Sequence, residues 1–89
     1  MIDNSLIAEM KALLYEAIDA PTKTAAKKPI KRLEFRLSRL REQLGGYLSE
    51  KLSDAIIYAK QASGSPRDKN HWVTCAKDAW SEFEMRVRK

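Results

Sequence analysis

Apolar positions recur at helical spacing in three stretches of the chain, and the first stretch runs from Asn4 or Ser5 to about Ala20. Its apolar residues follow one another at intervals of three and four, which predicts a helix with one buried face. They are Leu6, Ile7, Met10, Leu13, Leu14, Ala17 and Ile18. Asp3, Asn4 and Ser5 each offer a side-chain oxygen to cap the start. Pro21 ends the helix, because the residue before a proline avoids helical backbone angles.

The second predicted helix covers residues 29–62, after a polar and basic connection over residues 21–28. Pro29 suits a first helical turn, where its missing N–H costs nothing. Apolar residues then alternate at spacings of three and four and form a heptad-like seam. The seam consists of Ile30, Leu33, Leu37, Leu40 and Leu44, and the apolar set resumes at Leu48, Leu52, Ala55, Ile56 and Ala59.

Gly45-Gly46 interrupts this helix and leaves two alternatives. Either one long helix continues through a weak, kinked middle, or the glycines form a turn between two shorter helices. Each internal glycine costs about 1 kcal/mol relative to alanine. We favour one long helix, because no capping side chain precedes Tyr47 and a two-residue link is tight. Such a helix would span about 50 Å and would project beyond its neighbours. An exposed apolar overhang of this kind predicts a homodimer.

The third predicted helix covers residues 66–88. Ser65 suits the N-cap, Pro66 the first helical position and Asp68 the third, in a start that resembles a capping box. The predicted buried stripe is Trp72, Ala76, Ala79, Trp80, Phe83 and Val87. The predicted fold class is therefore all-α: a small bundle of three helices in one domain over residues 1–89, or of four helices if the glycines form a turn.

Composition supports a small folded protein and bears on its location. The 89 residues carry a net charge of +5, and their hydrophobic share of 44% argues against intrinsic disorder. The single cysteine, Cys75, cannot form a disulfide within the chain, so we expect a cytoplasmic protein. We expect no membrane association, because no apolar run approaches the ~18 to 20 residues of a membrane span. The N-terminus lacks the pattern of a secretory signal.

The most specific chemical feature is a cluster of cations, since eight of the 17 basic residues lie between positions 23 and 41. On a helical projection, Lys28, Arg32, Arg36 and Arg39 share a side of the helix that is distinct from the apolar seam. Phe35 falls on this side, and an aromatic ring among arginines is typical of surfaces that track phosphates and stack bases. The same pattern is also expected without any partner. The cations would then be ordinary solvated side chains, and Phe35 would pack on another helix or a second subunit. Ile57 projects to nearly the same side, which favours packing. The candidate partner-binding residues are Lys28, Lys31, Arg32, Phe35, Arg36 and Arg39.

The sequence offers little for catalysis or metal binding. His71, Cys75 and Asp78 share one side of the third helix, but a zinc site needs about four ligands, and the chain has no other histidine or cysteine. No nucleophile–base pair and no glycine-rich phosphate loop is present. We therefore expect no enzymatic activity, no metal and no cofactor.

The expected function is that of a small, basic, helical binding protein. It would act as an adaptor, regulator or inhibitor of a larger macromolecule, as a homodimer, with an acidic protein surface or a nucleoprotein complex as its partner. Direct nucleic-acid binding by the same side of the helix is one alternative. A structural subunit of an assembly is another. The size and self-contained helical build are compatible with accessory proteins of bacterial, phage or plasmid origin.

Overall fold

The computed structural model describes residues 3–64 and 67–87, and these residues form three helical elements. They are α1 (Asn4–Asp19), α2 (Lys23–Gly64) and α3 (Lys69–Val87). No strand occurs in either described range, so the predicted all-α class is confirmed. The capping positions predicted at Ser65 and Pro66 lie outside the described residues. Within the described part of the chain, no helix has the length and the apolar character that crossing a bilayer requires.

The bounds of α1 agree with the prediction to within one residue. Asp3 is extended, and its carboxylate accepts the N–H of Ser5 at 3.1 Å, which caps the first turn. Ala20 is extended in turn, as expected for the residue before a proline.

α2 begins six residues earlier than predicted. The hydroxyl of Thr22 accepts the N–H of Ala25 at 3.0 Å, and its carbonyl accepts the N–H of Ala26 at 3.1 Å, so Thr22 caps the helix. The connection predicted over residues 21–28 is therefore helical from Lys23 onward. Pro29 lies inside the helix and is buried, at the expense of one helical hydrogen bond.

The backbone of α2 leaves the helical conformation at Gly45, where φ is 77° and ψ is 179°. Residues from the two sides of this break meet: Lys60 donates to the carboxylate of Glu34, and the Ser49 hydroxyl donates to the carbonyl of Arg41 at 3.4 Å. These contacts require the two halves of α2, residues 23–44 and 46–64, to lie antiparallel and side by side.

The long straight helix that was expected to project beyond its neighbours is not found in α2. A straight helix of 42 residues would be about 63 Å long, whereas the described residues extend at most 37 Å in any direction. The predicted apolar overhang is therefore wrong, and with it one of the grounds for expecting a homodimer.

The two halves of α2 each pack against one of the other helices. Arg36 in the first half pairs with Glu9 of α1, and Tyr58 in the second half stacks on Trp72 of α3 with ring centroids 5.9 Å apart. α1 and α3 also meet, through contacts such as the ammonium of Lys11 at 3.9 Å from a carboxylate oxygen of Glu84. The helical segments therefore surround one common core.

Most residues predicted for the buried stripes lie in this core, as the helical periodicity requires. The largest of them is Trp80, whose indole N–H donates to the carboxylate of Glu84 at 2.7 Å. Four residues of the predicted stripes are only partly buried: Leu6, Leu48, Trp72 and Val87. A single chain thus supplies apolar residues from every helix to its core.

Candidate functional site

The six residues predicted to bind a partner all lie on the first half of α2, away from its buried seam. The seam turns toward the core, so the side chains between its positions meet solvent. Five of the six are exposed and Arg36 is half-buried. We call this set the basic face: Lys28, Lys31, Arg32, Phe35, Arg36 and Arg39.

Phe35 lies in the middle of the basic face and is 59% exposed. The guanidinium carbon of Arg39 lies 5.7 Å from the centroid of its ring, within the range of a cation–π contact. With more than half of its surface exposed, Phe35 is not buried against another helix of the described chain, and packing on a second subunit stays a prediction. An uncovered aromatic ring beside arginines is available for contact with a partner.

Arg36 is the member of the basic face that is held in place. Its guanidinium donates to the carboxylate of Glu9 at 2.9 Å, and both side chains are about half exposed. Such exposed pairs contribute at most about 1 kcal/mol to stability. The pair places a carboxylate at the edge of a shallow depression of about 370 Å³, which Lys31, Arg32 and Phe35 also line. Sequence reasoning missed Glu9, since it lies 27 positions from Arg36.

The excess positive charge of the protein is concentrated in the half of α2 that presents the basic face. Residues 23–44 hold eight basic and two acidic side chains, a net charge of +6. The rest of the chain holds nine basic and ten acidic side chains, a net charge of −1. A one-sided distribution of this kind steers acidic partners toward one surface of the molecule.

A second group of cations lies where the two ends of α2 meet, and we call it the lysine groove. Lys23, Lys27, Lys31 and Lys60 line this groove of about 460 Å³. A Cβ atom on Gly64 would lie 3.9 Å from Cδ of Lys23, which shows how closely the two ends approach. Sequence reasoning missed this group because Lys60 reaches the other three only when α2 folds back.

Ile57 does not extend the surface around Phe35, contrary to the projection from the sequence. It is 47% exposed and lines a depression between the two halves of α2, with Glu34 and Ser38 among its neighbours. The projection assumed a continuous helix, and the break at Gly45 turns the second half onto a different side.

The candidate metal-binding residues lie along α3. The Cys75 sulfur is 3.8 Å from Nε2 of His71, and Cys75 and Asp78 line the same shallow depression. Across residues 3–64 and 67–87, no three His, Cys, Asp or Glu side chains are grouped so that they could hold a metal ion.

No protein-family model, curated protein or solved structure gives a significant match to this chain. Its function is therefore inferred from its own residues and their arrangement.

Proposed function

We propose that this protein is a non-enzymatic binding protein whose basic face docks on an acidic surface of a larger macromolecule, as an adaptor, regulator or inhibitor. The observation that supports this most directly is the concentration of the excess charge on residues 23–44 around an exposed Phe35. The same proposal places the protein in the cytoplasm, on the grounds of its single cysteine, Cys75.

The composition of the basic face favours a protein partner. Aromatic residues and arginine are enriched at the centres of protein interfaces, where they supply most of the binding energy. Phe35 lies among three arginines, two of which, Arg32 and Arg36, line the same depression as its ring. An acidic protein surface with an apolar contact at its centre would complement this arrangement.

Direct binding of nucleic acid is the second candidate function. It is favoured by the pair of Phe35 and Arg39, because exposed aromatic rings and guanidinium groups stack on bases. This candidate requires no protein partner, and its affinity would fall steeply as salt concentration rises.

Homodimerisation and a role as a structural subunit stay predictions. Because the chain packs compactly, no projecting helix supports a homodimer. The exposed Phe35 and Ile57 remain as surfaces that a second copy would contact. Light scattering at the concentrations of the binding assay would give the mass of the assembly.

The proposal is tested by reversing three charges of the basic face with Arg32→Glu, Arg36→Glu and Arg39→Glu. We expect the triple variant to lose binding to a labelled poly-glutamate peptide and to keep its helical circular dichroism, because Arg32 and Arg39 are exposed and Arg36 is only half-buried. Fluorescence anisotropy measures the affinity. Labelled single- and double-stranded oligonucleotides, at low and near-physiological salt, test the second candidate in parallel.

A matched control reverses three charges at Arg67, Lys69 and Lys77, which lie outside α2. It changes the net charge equally and should retain most of the binding. Equal loss in both triple variants would mean that net charge alone attracts the peptide, and the basic face would not be the site. Oligonucleotide binding that persists near physiological salt and is lost only in the Arg32, Arg36, Arg39 variant would favour the second candidate.

A further inference from the structure

The lysine groove is a second cationic site, and it shares only Lys31 with the basic face. Lys23, Lys27 and Lys31 follow one another at intervals of four residues along the first half of α2. Each interval advances about 6 Å along the helix axis. Lys60 approaches from the second half of α2, so the four ammonium groups come from both walls of the groove.

The charges of the groove are poorly compensated. Among the described residues, Lys60 pairs with Glu34, with 2.5 Å between ammonium and carboxylate, whereas Lys23, Lys27 and Lys31 have no ion-pair partner. Glu34 supplies the one carboxylate to the described lining, which therefore has a net charge of +3. Like charges that line one groove repel one another, and an anion that contacts several of them would offset that repulsion.

The geometry favours an elongated anion with several charges over a single small ion. The row of three lysines extends over about 12 Å along the helix axis, and the groove volume of about 460 Å³ lies in the range of small-ligand sites. Ammonium groups are compact charges with three donors each and are common ligands of phosphate. The polar residues Gln61 and Ser63 add to the lining.

We propose that the lysine groove binds a chain of phosphate groups, whether free or attached to a nucleoside. Glu34 acts against this ligand in two ways, because its carboxylate repels phosphate and occupies the ammonium of Lys60. Removing the charge of Glu34 should therefore strengthen binding, and removing a lysine charge should weaken it.

The test measures inorganic tripolyphosphate binding to the full chain by isothermal titration calorimetry, in a buffer free of phosphate. We expect Glu34→Gln to bind several-fold more tightly than wild type. We expect Lys27→Gln to bind about tenfold more weakly, in line with the loss of one charge-assisted hydrogen bond. Orthophosphate, which contacts fewer lysines, should bind at least tenfold more weakly than tripolyphosphate.

Two matched controls separate the groove from general electrostatics. Glu42→Gln changes the net charge as Glu34→Gln does, but Glu42 is exposed on α2 and does not line the groove. Lys77→Gln removes one exposed lysine charge as Lys27→Gln does, but Lys77 lies on α3, outside both the groove and the basic face. Both controls should bind tripolyphosphate like wild type.

A titration with ATP identifies the source of the phosphates. Equal affinity for ATP and tripolyphosphate supports recognition of the chain alone, and tighter ATP binding supports a nucleotide.

The proposal is overturned if tripolyphosphate does not bind at millimolar concentration. It is also overturned if Glu42→Gln strengthens binding as much as Glu34→Gln, or if Lys77→Gln weakens it as much as Lys27→Gln. Circular dichroism of each variant confirms that it is folded, which is expected because these side chains are exposed.

Discussion

At the scale of single residues, Phe35 differs from two other exposed apolar side chains, Tyr47 and Ile57. Tyr47 has the guanidinium carbon of Arg86 at 4.4 Å from its ring centroid, and Ile57 lies between the halves of α2. Phe35 instead lies on the outer side of α2, at 59% exposure, among cations of its own helix. Its ring contributes little to the core, so its removal separates binding from folding.

We expect Phe35→Ala to change the free energy of unfolding by less than about 0.5 kcal/mol and to weaken binding to the poly-glutamate peptide about tenfold. Urea denaturation and fluorescence anisotropy measure the two effects. The control is Phe83→Ala, which removes a fully buried ring and should cost about 3 to 5 kcal/mol. A loss of stability in Phe35→Ala comparable to that of the control would show that the ring packs in the fold.

Residue-level prediction from the sequence succeeded where it depended on helical periodicity alone. Leu33 and Leu37 are buried and Arg32 is exposed because each position has a fixed angle around one helix. Glu9 and Lys60 were missed because their partners lie 27 and 26 positions away. Contacts over such distances depend on how the helices pack, which periodicity does not describe.

At the scale of helices, the decisive feature is the break at Gly45. The combination of φ 77° and ψ 179° is a backbone region that is essentially restricted to glycine. The sequence favoured one long helix through this position, which is wrong, because one glycine costs only about 1 kcal/mol inside a helix and the apolar pattern resumes beyond it, so nothing in the pattern required the break. Pro29 predicts the first turn of α2, but the helix begins six residues earlier because the hydroxyl of Thr22 caps it.

We expect Gly45→Ala to destabilise the protein by about 1 to 3 kcal/mol, because alanine is strained at this positive φ even though there is space for its methyl group. Gly46→Ala is the matched control. Gly46 does not have a positive φ, and nothing lies within 4 Å of an added Cβ, so this change should be neutral or stabilise by up to about 1 kcal/mol. Thermal and urea unfolding measure both. Equal effects of the two substitutions would contradict a break confined to Gly45.

At the scale of the whole molecule, the distribution of charge opposes the packing that creates the fold. Residues 23–44 carry a net charge of +6 on one helical segment, and the remainder of the chain carries −1. The ion pair Arg36–Glu9 brings an acidic side chain to this segment and offsets part of the repulsion, but it is exposed and weak, and Lys60, which pairs with Glu34, brings a further cation. A bound acidic partner would relieve the repulsion that remains, which links the binding proposals to the stability of the free protein.

Salt should relieve the same repulsion without any partner. Raising sodium chloride from about 0.01 M to about 0.1 M shortens the screening length from about 30 Å to about 10 Å, so we expect the thermal midpoint to rise. Lys28→Gln combined with Arg39→Gln should reduce this rise, because both cations belong to the crowded segment. Arg67→Gln combined with Lys69→Gln removes two cations outside α2 and should leave it nearly unchanged. A buffer free of phosphate keeps the lysine groove from contributing. A midpoint that falls with salt would mean that the exposed ion pairs outweigh the repulsion, and the free protein would then gain no stability from neutralisation of residues 23–44.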